Sequence, residues 1–598
     1  MDVKGSKPRY GSDLVVDLMK AVGIEYVAFN PGSTFRGTHD SLVNYGANNP
    51  KIVLCNHEEI SVAIAHGYGV AAGKPMAVIT HNIVGLLHAS MAIYNAWCDM
   101  SPVMVLGGGG PMEVGKRRNW VDWVHVALVQ GNVVRDYVKW DDQPFDLSGL
   151  VESFLRGYRI ATARPQGPVY LCLDSAMQEA PIEEPVAIPN SPGASRSTAI
   201  APDPDVVEQV ARGLVKAEMP LILADRMGGG DEGVKALVEL ADLLAAPVVD
   251  LGGRFNFPNT HPLEMRGSQD ELISKADMVL ALEVGDLFGT LQTGGRGPRS
   301  KRADFQSRLS PGARVIDVSL RDLVTRGWSA NRQRFQKVDL TVLADPVLMV
   351  RQLVASCRRL LGKAASSRAR EQRRRELSKM HQRDRLKWQK EAAGLSTAAP
   401  IASGWLAHEL WEVIKGEDWV LAHGELRNWP RRLWDFDVPY RYVCQSGGAG
   451  LGHGMGSAIG AALAHQGKGR LLVDIQPDGD LLMTPQAIWT AVQQKLPLLI
   501  VMYNNRSYFN SETHAAVMAQ SRERPMENRG IGTRITEPPV DFAGMARSFG
   551  AYGEGPIDDP RKLRQAIERA VKAIKKEGRP ALVDVVCRGE ERAHARRD

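Results

Sequence analysis

The chain has 598 residues, of which 44% are hydrophobic and 24% charged, with a formal net charge of +6. That length holds about three or four ordinary domains, and the balance of residues excludes a disordered or low-complexity chain. The basic residues are dispersed, and no apolar run is long enough to span a bilayer, so neither nucleic acid nor membrane is an expected partner.

Met1 to Tyr10 contains no apolar signal core. The six cysteines (Cys55, Cys98, Cys172, Cys357, Cys444 and Cys587) have no paired spacing, and several lie in apolar runs. Buried thiols in a reducing cytoplasm are the expectation.

In chain order, the first module occupies 1–180. A helix is predicted over Gly11 to Val22, with strands at Tyr26 to Phe29, Met76 to Thr80, Pro102 to Leu106 and Val169 to Leu173. Apolar runs alternate with helix-length periodic segments, which predicts a parallel sheet wrapped in helices. Pro181 to Pro202, rich in Pro, Ser and Ala, reads as a linker. A second module over 205–361 repeats the pattern, with strands at Pro220 to Ala224, Pro247 to Leu251, Met278 to Leu282, Arg314 to Val318 and Lys337 to Leu340. The charge-dense stretch Arg368 to Arg385 reads as a solvated linker helix. A third module over 397–587 ends in a strand at Ala581 to Val586. The polar tail Arg588 to Asp598 is expected to be mobile or to form a lid. The fold class is therefore α/β, with three doubly wound parallel-sheet domains.

The most informative segment lies in the third module. The run from Leu471 ends in Pro477-Asp478-Gly479-Asp480, and the run Leu498 to Met502 ends in Tyr503-Asn504-Asn505-Arg506-Ser507-Tyr508. Each apolar strand delivers an oxygen donor at its C-terminal end, where ligands bind in open parallel sheets. A hard cation such as Mg²⁺ takes oxygen ligands and leaves positions for phosphate. The candidate metal ligands are Asp478, Asn505 and the main-chain carbonyl of Ser507.

This pattern resembles the cofactor motif of the thiamine-diphosphate-dependent enzymes, an Asp-Gly pair followed about one βαβ unit later by Asn-Asn. Pro477 stands where members of that family usually have Gly. A second segment, Val53-Leu54-Cys55-Asn56-His57-Glu58-Glu59 leading into an Ala-rich helix with Gly67-Tyr68, is similar to the family's pyrimidine-binding segment. The essential glutamate of the family precedes that glycine by nine positions, which selects Glu58 and leaves Glu59 as a helix N-terminal carboxylate. The resemblance implies that Glu58 hydrogen-bonds a ring nitrogen of the cofactor and drives its activation.

The glycine-rich run Gln445 to Ala462 completes the resemblance. In the acetolactate-synthase-like branch a large apolar residue here wedges between the cofactor rings. Leu451 matches it, and the Ala449 carbonyl is then placed to hold the pyrimidine amino group. Gly424, in His423-Gly424-Glu425-Leu426-Arg427, occupies the first diphosphate-binding turn. Gly479 and Asp480 join the cofactor-binding set. Arg427 is a candidate for a phosphate or a substrate carboxylate.

The resemblance covers nearly the whole chain and implies the fold of the thiamine-diphosphate-dependent decarboxylases. It implies a homodimer or homotetramer in which Glu58 of one chain faces Asp478 of another. In relatives the central domain holds FAD, ADP or CoA, or nothing. Gly228-Gly229-Gly230 reads equally as a plain βα turn, so a nucleotide there lacks support. Thr80-His81-Asn82-Ile83-Val84-Gly85-Leu86-Leu87-His88 departs from the common acetolactate synthase pattern, which makes His81 and His88 substrate-side candidates. His125 falls near a position where relatives place a Gln, Glu or His over the reacting carbon. Tyr508 and Glu512 are further candidates for contact with substrate. The implied activity makes or breaks a C–C bond beside a carbonyl. A 2-oxoacid decarboxylase/carboligase is the first reading; a 2-hydroxyacyl-CoA or acyloin lyase, or a cyclic-diketone hydrolase, is the alternative. A non-catalytic nucleotide-binding scaffold is the bland one.

Overall fold

A computed structural model of the chain describes residues 7–189, 197–228, 230–293, 305–325, 334–362, 367–424, 426–443 and 447–590. Glu425, Cys444 and the tail from 591 onward lie outside the described residues, so the expectation of a lid there is not addressed.

Three parallel sheets carry the molecule. The first has the order β2-β1-β3-β4-β6-β5, built from β1 (Tyr26–Phe29), β2 (Lys51–Leu54), β3 (Met76–Thr80), β4 (Val103–Gly109), β5 (Trp140–Asp142) and β6 (Val169–Asp174). The second comprises β7 (Pro220–Ala224), β8 (Val248–Asp250), β9 (Met278–Leu282), β12 (Arg314–Val318) and β13 (Leu340–Val342), in the order β13-β12-β9-β7-β8. Between β9 and β12 lies a short antiparallel ribbon of β10 (Gln292–Thr293) and β11 (Gln306–Ser307). The third sheet is ordered β14-β15-β16-β18-β17, from β14 (Trp419–His423), β15 (Leu471–Pro477), β16 (Leu498–Asn504), β17 (Tyr552–Ile557) and β18 (Ala581–Val586). Central strands such as β3, β9 and β16 are buried along their whole length. Helices cover both faces of such sheets, so these strands read as unbroken apolar runs.

Six helices matter below: α1 (Gly11–Ala21), α2 (Glu58–Ala72), α3 (Ile83–Cys98), α4 (Arg368–Ala393), α5 (Gly454–Ala464) and α6 (Phe509–Ser521). The His57 side chain caps α2 by accepting the Glu59 N–H, and Gly73 closes it in the left-handed conformation, φ 68°. The charge-dense linker is one 26-residue helix, α4, capped by Ser367.

The first and third domains meet through α2 and α5. Cβ atoms at Gly67 or Gly460 would overlap the Ser457 and Ile64 carbonyls across the interface, and one at Gly456 would stand 2.6 Å from the Ala63 Cβ. Glycine at these positions lets the two helix backbones touch, and one hydrophobic core runs through both domains. This contact lies within one chain, where the two small-residue faces fit each other directly.

The central domain is tied to the first by Arg164. Its guanidinium donates to the Met227 carbonyl at 2.8 Å and pairs with Asp345. It also lies against Gly228.

Candidate active site

The candidate metal-binding end forms because β15 and β16 are parallel neighbours in register, with Pro477 opposite Tyr503. Asp478 follows Pro477 and is buried. Its carboxylate accepts the Gly479 N–H at 2.8 Å and the Ser507 N–H at 3.2 Å. Asn505 Oδ1 accepts the same Ser507 N–H at 3.0 Å. The three candidate ligand residues thus converge on one turn. Burial pushes Asp478 up to about 6, against the hydrogen bonds from backbone N–H groups. A buried carboxylate beside a neutral amide oxygen is a donor set suited to a hard divalent cation.

Tyr508 lies over this turn. Its ring packs where a Gly479 side chain would be, and its hydroxyl is 3.4 Å from the Gly479 carbonyl. It shapes the turn. Glu512, at the start of α6, is buried: it accepts from Ser507 Oγ at 2.8 Å, Arg534 at 2.9 Å and Arg529 at 3.3 Å. Its place is therefore a latch between this turn and the 529–534 segment.

Asp480 ties the glycine loop to the sheet. Its two carboxylate oxygens accept the Gly452 N–H at 2.7 Å and the Gly454 N–H at 3.1 Å, and Gln476 donates to it from β15. Both of its oxygens face the loop. A Cβ at Gly454 would fall 2.6 Å from both Gln476 Oε1 and Asp480, and would overlap His423. Around that opening the buried Gln476 Oε1, Asp474 Oδ2 and both His453 nitrogens have no hydrogen-bond partner. Unpartnered buried polar atoms are costly, and a glycine-lined cradle of them fits a polar ligand. His423 Nδ1 is 3.1 Å from Asp474 Oδ1. Gly424, φ 93°, lets β14 end hard against the Ile475 carbonyl. The next described residues, Leu426, Arg427 and Asn428, have φ of 40°, 57° and 66°, a run of non-glycine residues in a costly conformation.

The first domain supplies the opposite wall. Glu58 opens α2 and is buried, with Oε2 3.2 Å from His88 Nδ1. Gly85 makes room for its other oxygen, which would sit 2.8 Å from a Cβ there. His57 and His88 stack with centroids 4.7 Å apart. The glycine loop lies along α3: Asn95 and Gly450 exchange hydrogen bonds at 3.3 and 3.2 Å, and Gly450 sits against Met91. Ala449 has φ 52° and is exposed, and Leu451 is 44% exposed on the same loop.

Glu59, left aside as a plain helix carboxylate, reaches the loop. Its Oε1 would be 3.3 Å from a Cβ at Gly452, and burial followed by the charge of Asp480 raises its pKa. Glu59 and Asp480 thus approach the same glycine. His81 Nδ1 is 2.8 Å from Thr34 Oγ1, and its ring meets His125 edge-on at 5.4 Å. Burial, then the neighbouring His125, pushes His81 below its ordinary value, so it is neutral at pH 7. Trp120, strained at φ 70°, lies 6.0 Å from the His125 ring. His423, Asp474, Gln476 and the buried, unpartnered amide of Asn82 are site residues that sequence reasoning did not single out.

Comparison with known proteins identifies the family. Residues 9–125 match the family described as "Thiamine pyrophosphate enzyme, N-terminal TPP binding domain", and residues 422–585 match its "C-terminal TPP binding domain". The chain belongs to the thiamine-diphosphate-dependent enzymes. Within them it is acetolactate-synthase-like. It is 23% identical to acetolactate synthase 3, chloroplastic, of Brassica napus, over 98% of this chain and 84% of that protein. Over 98% of this chain it is also 23% identical to the acetolactate synthase isozyme 3 large subunit of Escherichia coli, covering 96% of that protein. Among solved structures, a Rhodococcus jostii thiamine diphosphate-dependent 4-hydroxybenzoylformate decarboxylase superposes with a TM-score of 0.74 at 20% identity, over 97% of this chain and 100% of that one. A benzoylformate decarboxylase from Polynucleobacter necessarius gives 0.73 at 20% identity, over 98% and 99%. These structures share the fold, three doubly wound parallel-sheet domains of the thiamine-diphosphate-dependent decarboxylase type.

Proposed function

We propose that this enzyme uses thiamine diphosphate and Mg²⁺ as a 2-oxoacid decarboxylase/carboligase of the acetolactate synthase type. The observation that carries the reading is the meeting of Asp478 and Asn505 on the Ser507 N–H at the ends of adjacent parallel strands. Asp478, Asn505 and the Ser507 carbonyl hold the cation. Gly424, the Gly479 turn and the opening around Gly454 receive the diphosphate. Ala449 and Leu451 position the rings, and Asp480 holds their loop in place. Glu58 holds and exchanges a proton at the ring nitrogen. When bound, thiamine diphosphate supplies a carbon nucleophile and a sink for the electron pair of a cleaved C–C bond. The test is a substrate panel with added thiamine diphosphate and Mg²⁺, including pyruvate, aromatic 2-oxoacids, acyloins and 2-hydroxyacyl-CoA thioesters, read by product analysis. Coupled products from two 2-oxoacids support the reading. Turnover of acyloins or acyl-CoA thioesters alone replaces it with the lyase.

A second reading rests on His81 and His125. A neutral imidazole facing another beside Trp120 suits an aromatic 2-oxoacid whose product is released by protonation. Simple aldehyde release in the same panel selects it. We further propose a homodimer or homotetramer in the cytoplasm. The exposed Leu87, Met91, Leu451 and Met483 favour an interface, and five cysteines that form no disulfide among the described residues favour a reducing compartment.

A further inference from the structure

We propose that His57, Glu58 and His88 form a binding site for an imidazole-preferring divalent metal, of the Zn²⁺ or Co²⁺ class, which competes with the cofactor for Glu58. The donor atoms of the three side chains lie within 4.8 Å of one another. Glu58 Oε2 and His88 Nδ1 stand 3.2 Å apart. Two ligands on a tetrahedral metal with bonds of about 2.0–2.1 Å are separated by roughly 3.4 Å, so this pair is already at ligand spacing. The neutral His57 ring has one lone pair, and its Nδ1 now uses it to accept the Glu59 N–H at 3.2 Å, so a metal held by His57 takes the place of this cap.

The chemistry of the set differs from that of the Asp478 site. Two imidazoles and one carboxylate match borderline metals, whereas carboxylate, amide and carbonyl oxygens match Mg²⁺. The His88 side chain is 57% exposed, which opens the site to solvent, while that of Glu58 is 6% exposed and brings the negative charge. Gly85 presses α3 against Glu58 and limits its movement, so metal must come to the carboxylate.

The competition rests on the functional reading above. A Glu58 oxygen bound to metal is not free to hydrogen-bond the ring nitrogen, so metal binding lowers cofactor affinity and the cofactor lowers metal affinity by the same factor. The result is a reversible inactive state.

The experiment is a Co²⁺ titration of the full chain in excess Mg²⁺ without thiamine diphosphate, followed by visible absorption. The expected result is one equivalent with a tetrahedral spectrum, and binding weakened by about tenfold or more in His88→Ala and in His57→Gln. His57 also caps α2, so the exposed His88 variant carries the test if the other folds poorly. Absence of the band, or an unchanged band in His88→Ala, overturns the site. Adding thiamine diphosphate is then expected to bleach the band. A band that persists while the cofactor is bound, read by circular dichroism of the cofactor, overturns the competition. A chain that binds Co²⁺ but never thiamine diphosphate counts against the functional reading and leaves the metal site standing.

Discussion

Arg226 reaches from the end of β7 in the central domain to Asp99 at the end of α3 in the first domain, 3.1 Å from its Oδ1, with both side chains buried. His66 of α2 stands 3.0 Å from the other oxygen. Gly447 of the third domain lies so close that a Cβ there would be 2.6 Å from Oδ1. One carboxylate therefore sits where all three domains meet, next to the loop that carries Ala449 and Leu451. Burial opposes its charge, but the hydrogen bond from His66 and the charges of Arg226 and Arg254 overcome that and hold Asp99 well below the ordinary carboxylate range.

Removing one partner leaves a buried charge uncompensated. Arg226→Met is expected to destabilise the protein by about 3–5 kcal/mol, and Asp99→Leu combined with Arg226→Met by clearly less. Calorimetry on the two variants checks this. Equal losses would show that the pair is not coupled.

Glu58→Gln is expected to retain cofactor affinity and to lose turnover by roughly 10²-fold or more, as for removal of a general acid–base group. Asp478→Ala is expected to lose the Mg²⁺-dependent part of cofactor binding instead. Isothermal titration and steady-state kinetics separate the two, since one variant falls in turnover and the other in affinity. An active Glu58→Gln enzyme would sink its assigned role.

Much of this was legible because the donors end apolar strands. Asp478 and Asn505 follow runs buried on both faces, which have only one reading in a parallel sheet. Strands β5 and β17 gave no such signal. They are edge strands of partly buried Trp, Asp, Gly and Glu, and their pattern is not that of a core strand. The predicted strand at Lys337 to Leu340 is shifted to Leu340–Val342, since its first residues pair with nothing in the sheet. Glu59, His423 and Asp99 act through residues distant in sequence, such as Asp99 with Arg226, so local spacing carries no trace of them. The contacts of Tyr508 with the Gly479 turn and of Asp480 with the glycine loop follow from three-dimensional packing and have no local pattern in the sequence.

The Glu512 latch gives a prediction that the motif alone does not. Glu512→Gln keeps the shape but weakens the charged hydrogen bonds to Arg534 and Arg529 that hold its pKa low, and the bond from Ser507. Charge-assisted bonds of this kind are worth about 1.5–3 kcal/mol. The expected outcome is a fall in Mg²⁺ affinity with little change in turnover at saturating Mg²⁺. A turnover defect that saturating Mg²⁺ does not restore would place Glu512 on the substrate instead.

The helix contact between α2 and α5 allows no added atom. Gly460→Ala sets a methyl group against the Ile64 carbonyl of the facing helix backbone, which has no rotamer to move aside. Overpacking of this sort costs about 1–3 kcal/mol, and here it acts on the joint between the two cofactor-binding domains. Thermal stability and cofactor affinity are expected to fall together. Loss of neither would mean that the two domains are not held by this contact.

Asp317, on β12 of the central domain, gives a pH dependence of known sign. Burial first, then the charges of Glu283 and Asp322, raises it from its ordinary value of 3.8 to about 7, and its Oδ1 has no partner. The folded value lies above the unfolded one, so the folded chain holds this proton more tightly. The stabilisation is complete below about pH 4 and disappears as pH rises through about 7, amounting to roughly 4 kcal/mol at most. Asp317→Asn keeps the shape and removes the charge. The variant is expected to match the parent protein below pH 4, where both side chains are neutral, and to exceed it in thermal midpoint at pH 8. Because the residue lies in the central domain, cofactor affinity at neutral pH is expected to stay unchanged. A parallel pair of stability–pH curves from calorimetry would show that Asp317 is ionised in the folded chain after all.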